Sequence, residues 1–222
     1  MAMPTLTIDE LEVPFDIQTL EGFRAWMRTL EEGAPRASFL QGDVWLEMTP
    51  QNYRSHSPVV REINWTLVGL TKELKTGLYF MPPSWLTCTE AGLSTEPDGF
   101  FARFETLKGG AMRLNPGRAD EMQGRPDFVF EAVSTSSRRK DLVHLVGAYA
   151  SAGIGEYWIA DMREDRADLR VLVLDLAGAY RQVAPDREGF LASPTWQRRF
   201  RLRRYVNEAG MPDVEVEVRT PS

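Results

Sequence analysis

One cysteine, Cys88, and two histidines, His56 and His144, are the scarcest chemistry in this chain of 222 residues. A lone cysteine permits no intramolecular disulfide and no cysteine-based zinc site, and two histidines are too few for a histidine-rich metal centre. Positive charge is short as well. The 26 lysines and arginines face 32 aspartates and glutamates, a formal charge of −6, which argues against a protein that coats nucleic acid through bulk charge but leaves room for a local basic groove. No apolar run approaches the ~20 residues that span a bilayer. The first ten residues carry acids where a signal peptide needs bases, and they lack its apolar centre, so a cytoplasmic protein without membrane contact is expected. No Pro/Gly/Ser-rich linker and no repeat divides the chain, which reads as one domain over residues 1–222 with ample length for its own core.

What is present alternates between helical and strand periods. Phe23, Trp26, Met27 and Leu30 follow Thr19 at helical spacing, an amphipathic covering helix. Ala37 to Leu40 and Val44 to Met48, joined at Gln41-Gly42-Asp43 and ended by Thr49-Pro50, predict a hairpin. A second helix is expected from about Ser57 to Lys75, because Val60, Ile63, Leu67, Leu70 and Leu74 repeat on one stripe; Gly77 ends it. Strands follow within Leu78 to Phe80, Trp85 to Thr89 and Gly99 to Phe104. Glu105 to Gln123, with breakers at Gly109-Gly110 and Pro116-Gly117, reads as an exposed excursion. Later strands fall at Glu156 to Ala160, Leu169 to Asp175 and Tyr180 to Ala184, the last two forming a hairpin around Leu176 to Ala179. The most basic run, Arg198 to Arg204, invites a DNA-binding reading. Folded against Val214 to Val218 as a hairpin over about 199–219, it instead sets Arg201 and Arg203 on the face of Glu215 and Glu217, cross-strand pairs of roughly 0.2 to 1 kcal/mol each. Trp26, Trp45, Trp65 and Trp158 all sit in apolar patterns and read as core.

The chemistry concentrates between Gly124 and Asp161. Pro126 cannot donate to a ladder, so a strand begins just after it, and Phe128 to Val133 is apolar apart from Glu131. A carboxylate inside such a strand is costly to desolvate unless a cation meets it, whether side chain or metal. Ser134 to Ser137 supply N-cap oxygens for a helix through Leu142, Leu145, Val146 and Tyr149 to a stop at Gly153. Arg138, Arg139 and Lys140 stand where the helix dipole favours anions, so they serve an anionic partner or lie outside the helix proper. Pro-Asp occurs twice, at Pro97-Asp98 and Pro126-Asp127, each opening an apolar strand. If those strands pair, Asp98 and Glu131 converge at one rim. Two such carboxylates repel by about 1 kcal/mol at 4 Å in water and about 4 at an effective dielectric of 20. A divalent ion reverses that sign, and oxygen-only ligands suit magnesium or manganese.

The series Glu96-Pro97-Asp98-Gly99, Pro126-Asp127-Phe-Val-Phe-Glu131-Ala-Val-Ser134-Thr-Ser136, Asp141 and Tyr149-Ala-Ser-Ala-Gly153-Ile-Gly-Glu156-Tyr-Trp158-Ile-Ala-Asp161 resembles the Uma-type restriction-endonuclease family. The upstream hairpin from Gly42 to Pro50 resembles it too, and the likeness covers about residues 19–200. This family belongs to the PD-(D/E)XK nuclease superfamily, so the resemblance implies an α/β (α+β) restriction-endonuclease-like fold, a central mixed sheet flanked by helices, with added hairpins. It also implies Mg2+- (or Mn2+-) dependent hydrolysis of phosphodiester bonds in DNA. By position Asp98 and Glu131 would be catalytic acids and metal ligands, and Asp127 a strand-opening residue. The family lysine is the departure. The superfamily spacing puts it at Val133, relatives of this family place it at the position of Leu145, and the nearest candidate here is Lys140, as a replacement or as a sign of an inactive enzyme. Glu62 in the second helix and His144 on the Lys140 face are supporting candidates, and Arg125, Arg138 and Arg139 are candidates for holding nucleic acid. His56 reads as a surface or capping residue. A homodimer is expected, since cutting both strands needs two sites. The alternatives are a catalytically inactive nuclease-fold module binding nucleic acid or a protein partner, and a carboxylate-pair hydrolase of other substrates.

Overall fold

The computed structural model describes residues 5–8, 11–14, 17–30, 35–47, 56–134, 137–163 and 167–221. Met48, Thr49-Pro50, Thr135 and Ser136 lie outside them. A two-stranded ribbon, β1 (Thr5–Ile8) and β2 (Leu11–Pro14), precedes α1 (Leu20–Met27), whose N-cap Thr19 hydroxyl accepts from the Gly22 N–H at 3.1 Å. The expected hairpin forms as β3 (Arg36–Leu40) and β4 (Asp43–Glu47). Helix α2 (Ser57–Leu74) follows, with Val59, Ile63, Leu67 and Leu70 inward, and it ends at Lys75, which takes the left-handed conformation at φ 53°, two residues before the expected glycine stop. Next come β5 (Gly77–Phe80), β6 (Trp85–Cys88), β7 (Leu93–Thr95) and β8 (Gly99–Arg103).

The stretch expected to be an exposed excursion is instead folded. It holds α3 (Phe104–Lys108), β9 (Met112–Leu114) and β10 (Glu121–Gly124), with Met112 and Met122 buried and Glu121 taking the Arg24 guanidinium at 2.7 Å. Two methionines spaced ten apart give no periodic signal, so only the tertiary pairing reveals these strands. After β11 (Phe128–Ala132) the chain crosses through α4 (Leu145–Ser151) to β12 (Glu156–Asp161), and ends in β13 (Asp168–Leu174), β14 (Tyr180–Gln182), β15 (Leu191–Ser193), β16 (Arg198–Val206) and β17 (Pro212–Arg219).

Two six-stranded mixed sheets result, ordered β4-β3-β7-β6-β10-β9 and β14-β13-β12-β11-β8-β5, beside the three-stranded β15-β16-β17. In the second large sheet β11 pairs parallel with β12, which requires a crossover connection, and the segment carrying Lys140 and α4 supplies it. Side chains of β11 alternate between two cores. Phe128, Phe130 and Ala132 enter the core shared with α2, Trp196, Phe200 and Val214, while Val129 and Val133 enter the core shared with α4 and the first large sheet. Glu131 has the parity of Val129 and Val133. The C-terminal hairpin forms as expected, with Arg201–Glu217 at 2.7 Å and Arg203–Glu215 at 2.9 Å. Among the described residues no helix is long and apolar enough to cross a membrane.

Candidate active site

Both Pro-Asp dipeptides stand where the chain leaves one large sheet for the other, Pro97-Asp98 between β7 and β8 and Pro126-Asp127 between β10 and β11. β8 and β11 pair antiparallel, as expected, with Phe101 opposite Phe128, Phe100 opposite Val129 and Gly99 opposite Phe130. One further step of that register sets Asp98 against Glu131. Both side chains are buried, at 2% and 3% exposure.

Asp98 is held from several sides. Its Oδ2 accepts the Ala132 N–H at 2.9 Å and lies 3.2 Å from His56 Nε2, while Oδ1 accepts from Arg36 at 3.1 Å. Arg36 also donates to Glu96 at 3.0 Å. Burial alone would raise the Asp98 carboxyl, but the His56 hydrogen bond and charge, Arg36 and the Ala132 N–H outweigh it and bring it down to about 2. The backbone is fixed too. Asn64 donates to the Asp98 carbonyl at 3.0 Å and accepts from the Tyr79 hydroxyl at 2.7 Å. A Cβ on Gly99 would come within 2.7 Å of Asn64 Oδ1 and collide with the Tyr79 hydroxyl, so any side chain after Asp98 would displace the Asn64–Tyr79 pair. His56, read from sequence as a surface or capping residue, is buried and makes no side-chain cap at α2; a contact to a residue 42 positions away leaves no local trace.

Glu131 receives the Tyr149 hydroxyl of α4 at 2.7 Å. Burial pushes its carboxyl well above the usual range, opposed by Lys140 and reinforced by Asp98 and Asp141. Lys140 is the cation that bears on Glu131. It is only 4% exposed, it donates to Glu47 at the end of β4, and its Nζ lies 3.6 Å from Asp141 Oδ1. Burial disfavours the ammonium, but Glu131, Asp141 and Glu47 together hold the lysine above its ordinary value. Asp141 is pushed up to about 7 by burial, with Lys140 opposing. Leu145, where the family resemblance would place the lysine, is fully buried in the apolar core.

The local backbone explains how Lys140 reaches inward. Ser134 and Ser137 bond reciprocally, each hydroxyl accepting the other's N–H at 3.0 and 2.9 Å, and the Ser137 hydroxyl donates to Asp141. Lys140–His144 then form one π-helical turn closed by Leu145 N–H to the Lys140 carbonyl, a wide turn common at functional sites. Strand β4 meets this turn twice on one face, Trp45 lying on the His144 ring at 4.3 Å between centroids and Glu47 pairing with Lys140. Arg138 and Arg139 stay exposed, as does Arg125.

Not every candidate joins the cluster. The Glu62 carboxylate accepts from the Val216 N–H of β17 at 3.3 Å, so its contact is with the C-terminal hairpin while its helix neighbour Asn64 faces Asp98. His144 packs on Trp45, and its buried Nε2 has no hydrogen-bond partner among the described residues. Asp127 accepts the Arg103 N–H at 2.8 Å and the Thr106 hydroxyl at 2.7 Å, fixing the start of α3. Trp65, read as core, is 80% exposed on the outer face of α2. Arg36, Glu47, His56 and Tyr149 are the cluster members that local pattern did not single out.

Two six-stranded mixed sheets flanked by helices define a mixed α/β fold. A crystal structure from Anabaena variabilis ATCC 29413, described as "a putative nuclease belonging to DUF820", shares the fold with a TM-score of 0.57 and 18% sequence identity, covering 80% of this chain and 90% of that one. The family Uma2, described as "Putative restriction endonuclease", matches residues 20–203, and the chain belongs to it. No curated protein matches.

Proposed function

We propose that this chain is a divalent-metal-dependent endonuclease that hydrolyses phosphodiester bonds in DNA, with Asp98 and Glu131 as metal-binding acids and Lys140 as the transition-state cation. The observation that carries the reading is the burial of Asp98, Glu131 and Lys140 in one electrostatic cluster although they come from a sheet crossing, a strand and a helix start.

Among the described residues no three His, Cys, Asp or Glu side chains are spaced to hold a metal by themselves. The donor set fits an ion bound by one or two carboxylates that keeps several waters and takes substrate oxygens, as magnesium does. Glu131 is held well above its usual range beside two other acids, and the buried Asp141 Oδ1 has no hydrogen-bond partner among the described residues, both in keeping with a site that has room for more positive charge. When bound, such an ion supplies an acidified water and neutralises charge on the scissile phosphate. The protein's own part follows from its contacts. Asp98 stays ionised because His56 and Arg36 hold it so, Tyr149 orients Glu131, and Lys140, kept protonated by three carboxylates, faces developing negative charge. Glu47 positions Lys140, which supports a replacement for the lysine that the family resemblance would place one helical turn later. Arg125, Arg138 and Arg139 are exposed cations available to phosphates, and a two-fold dimer is the assembly that would cut both strands.

One observation favours an inactive nucleic-acid-binding module. Both Asp98 oxygens are already engaged by Arg36, His56 and Ala132, so an ion must displace a contact to bind there. Supercoiled plasmid incubated with Mg2+ or Mn2+ separates the two. Nicking by the native chain that is lost in Asp98→Asn and Lys140→Met supports the enzyme, and absence of metal-dependent nicking on DNA and RNA overturns it.

A further inference from the structure

Helix α2 buries Val59, Ile63, Leu67 and Leu70, and on its opposite side exposes a tryptophan. Trp65 is 80% exposed. It lines a groove of about 510 Å³ together with Arg36, Val60, Arg61, Asn64, Val68, Met81 and Pro82, within the size range of small-ligand sites. Among the described residues no carboxylate lines this groove, and both of the charged residues that do are arginines, in a chain whose net charge is −6. The groove also runs to the candidate active site. Arg36 at one end donates to Asp98 at 3.1 Å, and Asn64 in its wall donates to the Asp98 carbonyl at 3.0 Å.

We propose that the Trp65 groove is a subsite for one unpaired nucleobase of a nucleic-acid strand, stacked on the indole, with the adjoining phosphate on Arg61. Every base has a π-face that an indole can accept without regard to sequence. Arg61 stands four residues before Trp65 and so lies on the same helix face. Its Nη2 already pairs with Asp213 at 2.5 Å, but a guanidinium has five N–H donors and can serve a phosphate as well. Arg36 is likewise shared between Glu96 and Asp98. A fully paired duplex offers no base face to stack, so the subsite selects strands that are single or locally opened beside the scissile bond. The inference rests on the nucleic-acid reading of the neighbouring cluster, not on its catalytic competence.

The test measures binding without turnover. A fluorescein-labelled single-stranded oligodeoxynucleotide is titrated with the native chain, Trp65→Ala, Trp65→Phe and Arg61→Ala in EDTA, with anisotropy as the readout. Trp65 is exposed, so its replacement leaves the core intact. The expected result is that Trp65→Ala weakens binding about tenfold, that Trp65→Phe restores most of it, and that Arg61→Ala lowers the salt dependence by about one phosphate contact. The same strand annealed to its complement should lose little affinity from Trp65→Ala. Equal single-strand affinity for the native chain and Trp65→Ala, or no binding by either, overturns the proposal. So does a Trp65→Ala effect confined to sedimentation, which would make the groove a contact between two copies of the chain. Trp65-dependent binding without nicking would keep the subsite and sink the enzyme, and nicking with Trp65-independent binding would do the reverse.

Discussion

The two Pro-Asp crossings have the same dipeptide, the same place between the large sheets and the same apolar strand behind them, yet they do different work. Asp98 is 2% exposed and meets groups from β3, from the residue before α2 and from β11. Asp127 is half-buried and spends one oxygen on the Arg103 N–H and the Thr106 hydroxyl of the adjoining turn. The difference lies in what stands opposite. Both side chains have the parity that enters one core, Asp98 with Phe100 and Ala102 and Asp127 with Val129 and Val133, but Asp98 falls at the end of the β8–β11 pair that carries Glu131, and Asp127 at the other end, where it serves the helix that follows β8. Proline explains why the chain turns at both points, and the cross-strand neighbour decides whether the aspartate acquires a charge network.

The largest expected effect breaks that comparison at its active end. Asp98→Asn keeps an acceptor for Ala132 but removes the charge, and metal-dependent nicking should fall on the order of a hundredfold or more; nicking at native rate would place the acid elsewhere. Lys140→Met should cost nearly as much and, because it leaves Glu47, Glu131 and Asp141 without their shared cation, should also lower stability by about 3 kcal/mol in urea titration. Glu47→Gln separates positioning from charge: nicking should drop several-fold while the fold melts near the native temperature, and no change in nicking would end the positioning role.

At the passive end, Asp127→Ala removes two hydrogen bonds and should destabilise by about 1 to 3 kcal/mol, with nicking per folded molecule unchanged. Loss of nicking at equal folded fraction would erase the distinction between the crossings. The last test leaves nicking aside and reads a pH slope. Burial raises Asp141 to about 7, so the folded state binds its proton more tightly than the unfolded state. That contribution to stability is complete below the unfolded value near 4 and disappears as pH rises through 7. In metal-free buffer Asp141→Asn should flatten this fall, and an identical slope in native and variant would remove Asp141 as its source.

Much of this was legible in the chain because it is periodic. The α2 stripe, the hairpin at Gln41-Gly42 and the apolar β11 announced themselves by spacing, and a glutamate inside β11 signalled its need for a cation. The pairing of β8 with β11, and with it the approach of Asp98 to Glu131, followed from two strands opening in the same way. What escaped lacks any local pattern. Glu47 meets Lys140 across 93 positions and Arg36 meets Asp98 across 62, and β9 and β10 are too short and mixed to show a period. Trp65 misled for the opposite reason, since an indole among isoleucine and leucine reads as core until the helix is turned and its outer face seen.

The wide turn at Lys140–His144 has a consequence for how such a site can drift in evolution. In an α-helix each residue advances the direction of the side chain by about 100°, so a lysine moved by one position would ordinarily point elsewhere. A turn closed from Leu145 back to Lys140 takes up one residue more than its neighbours. It acts as a vernier between the serine cap, anchored at β11, and the helix body, anchored by Leu145 in the core. One residue gained or lost there would re-aim the cap end while the packed end stays still.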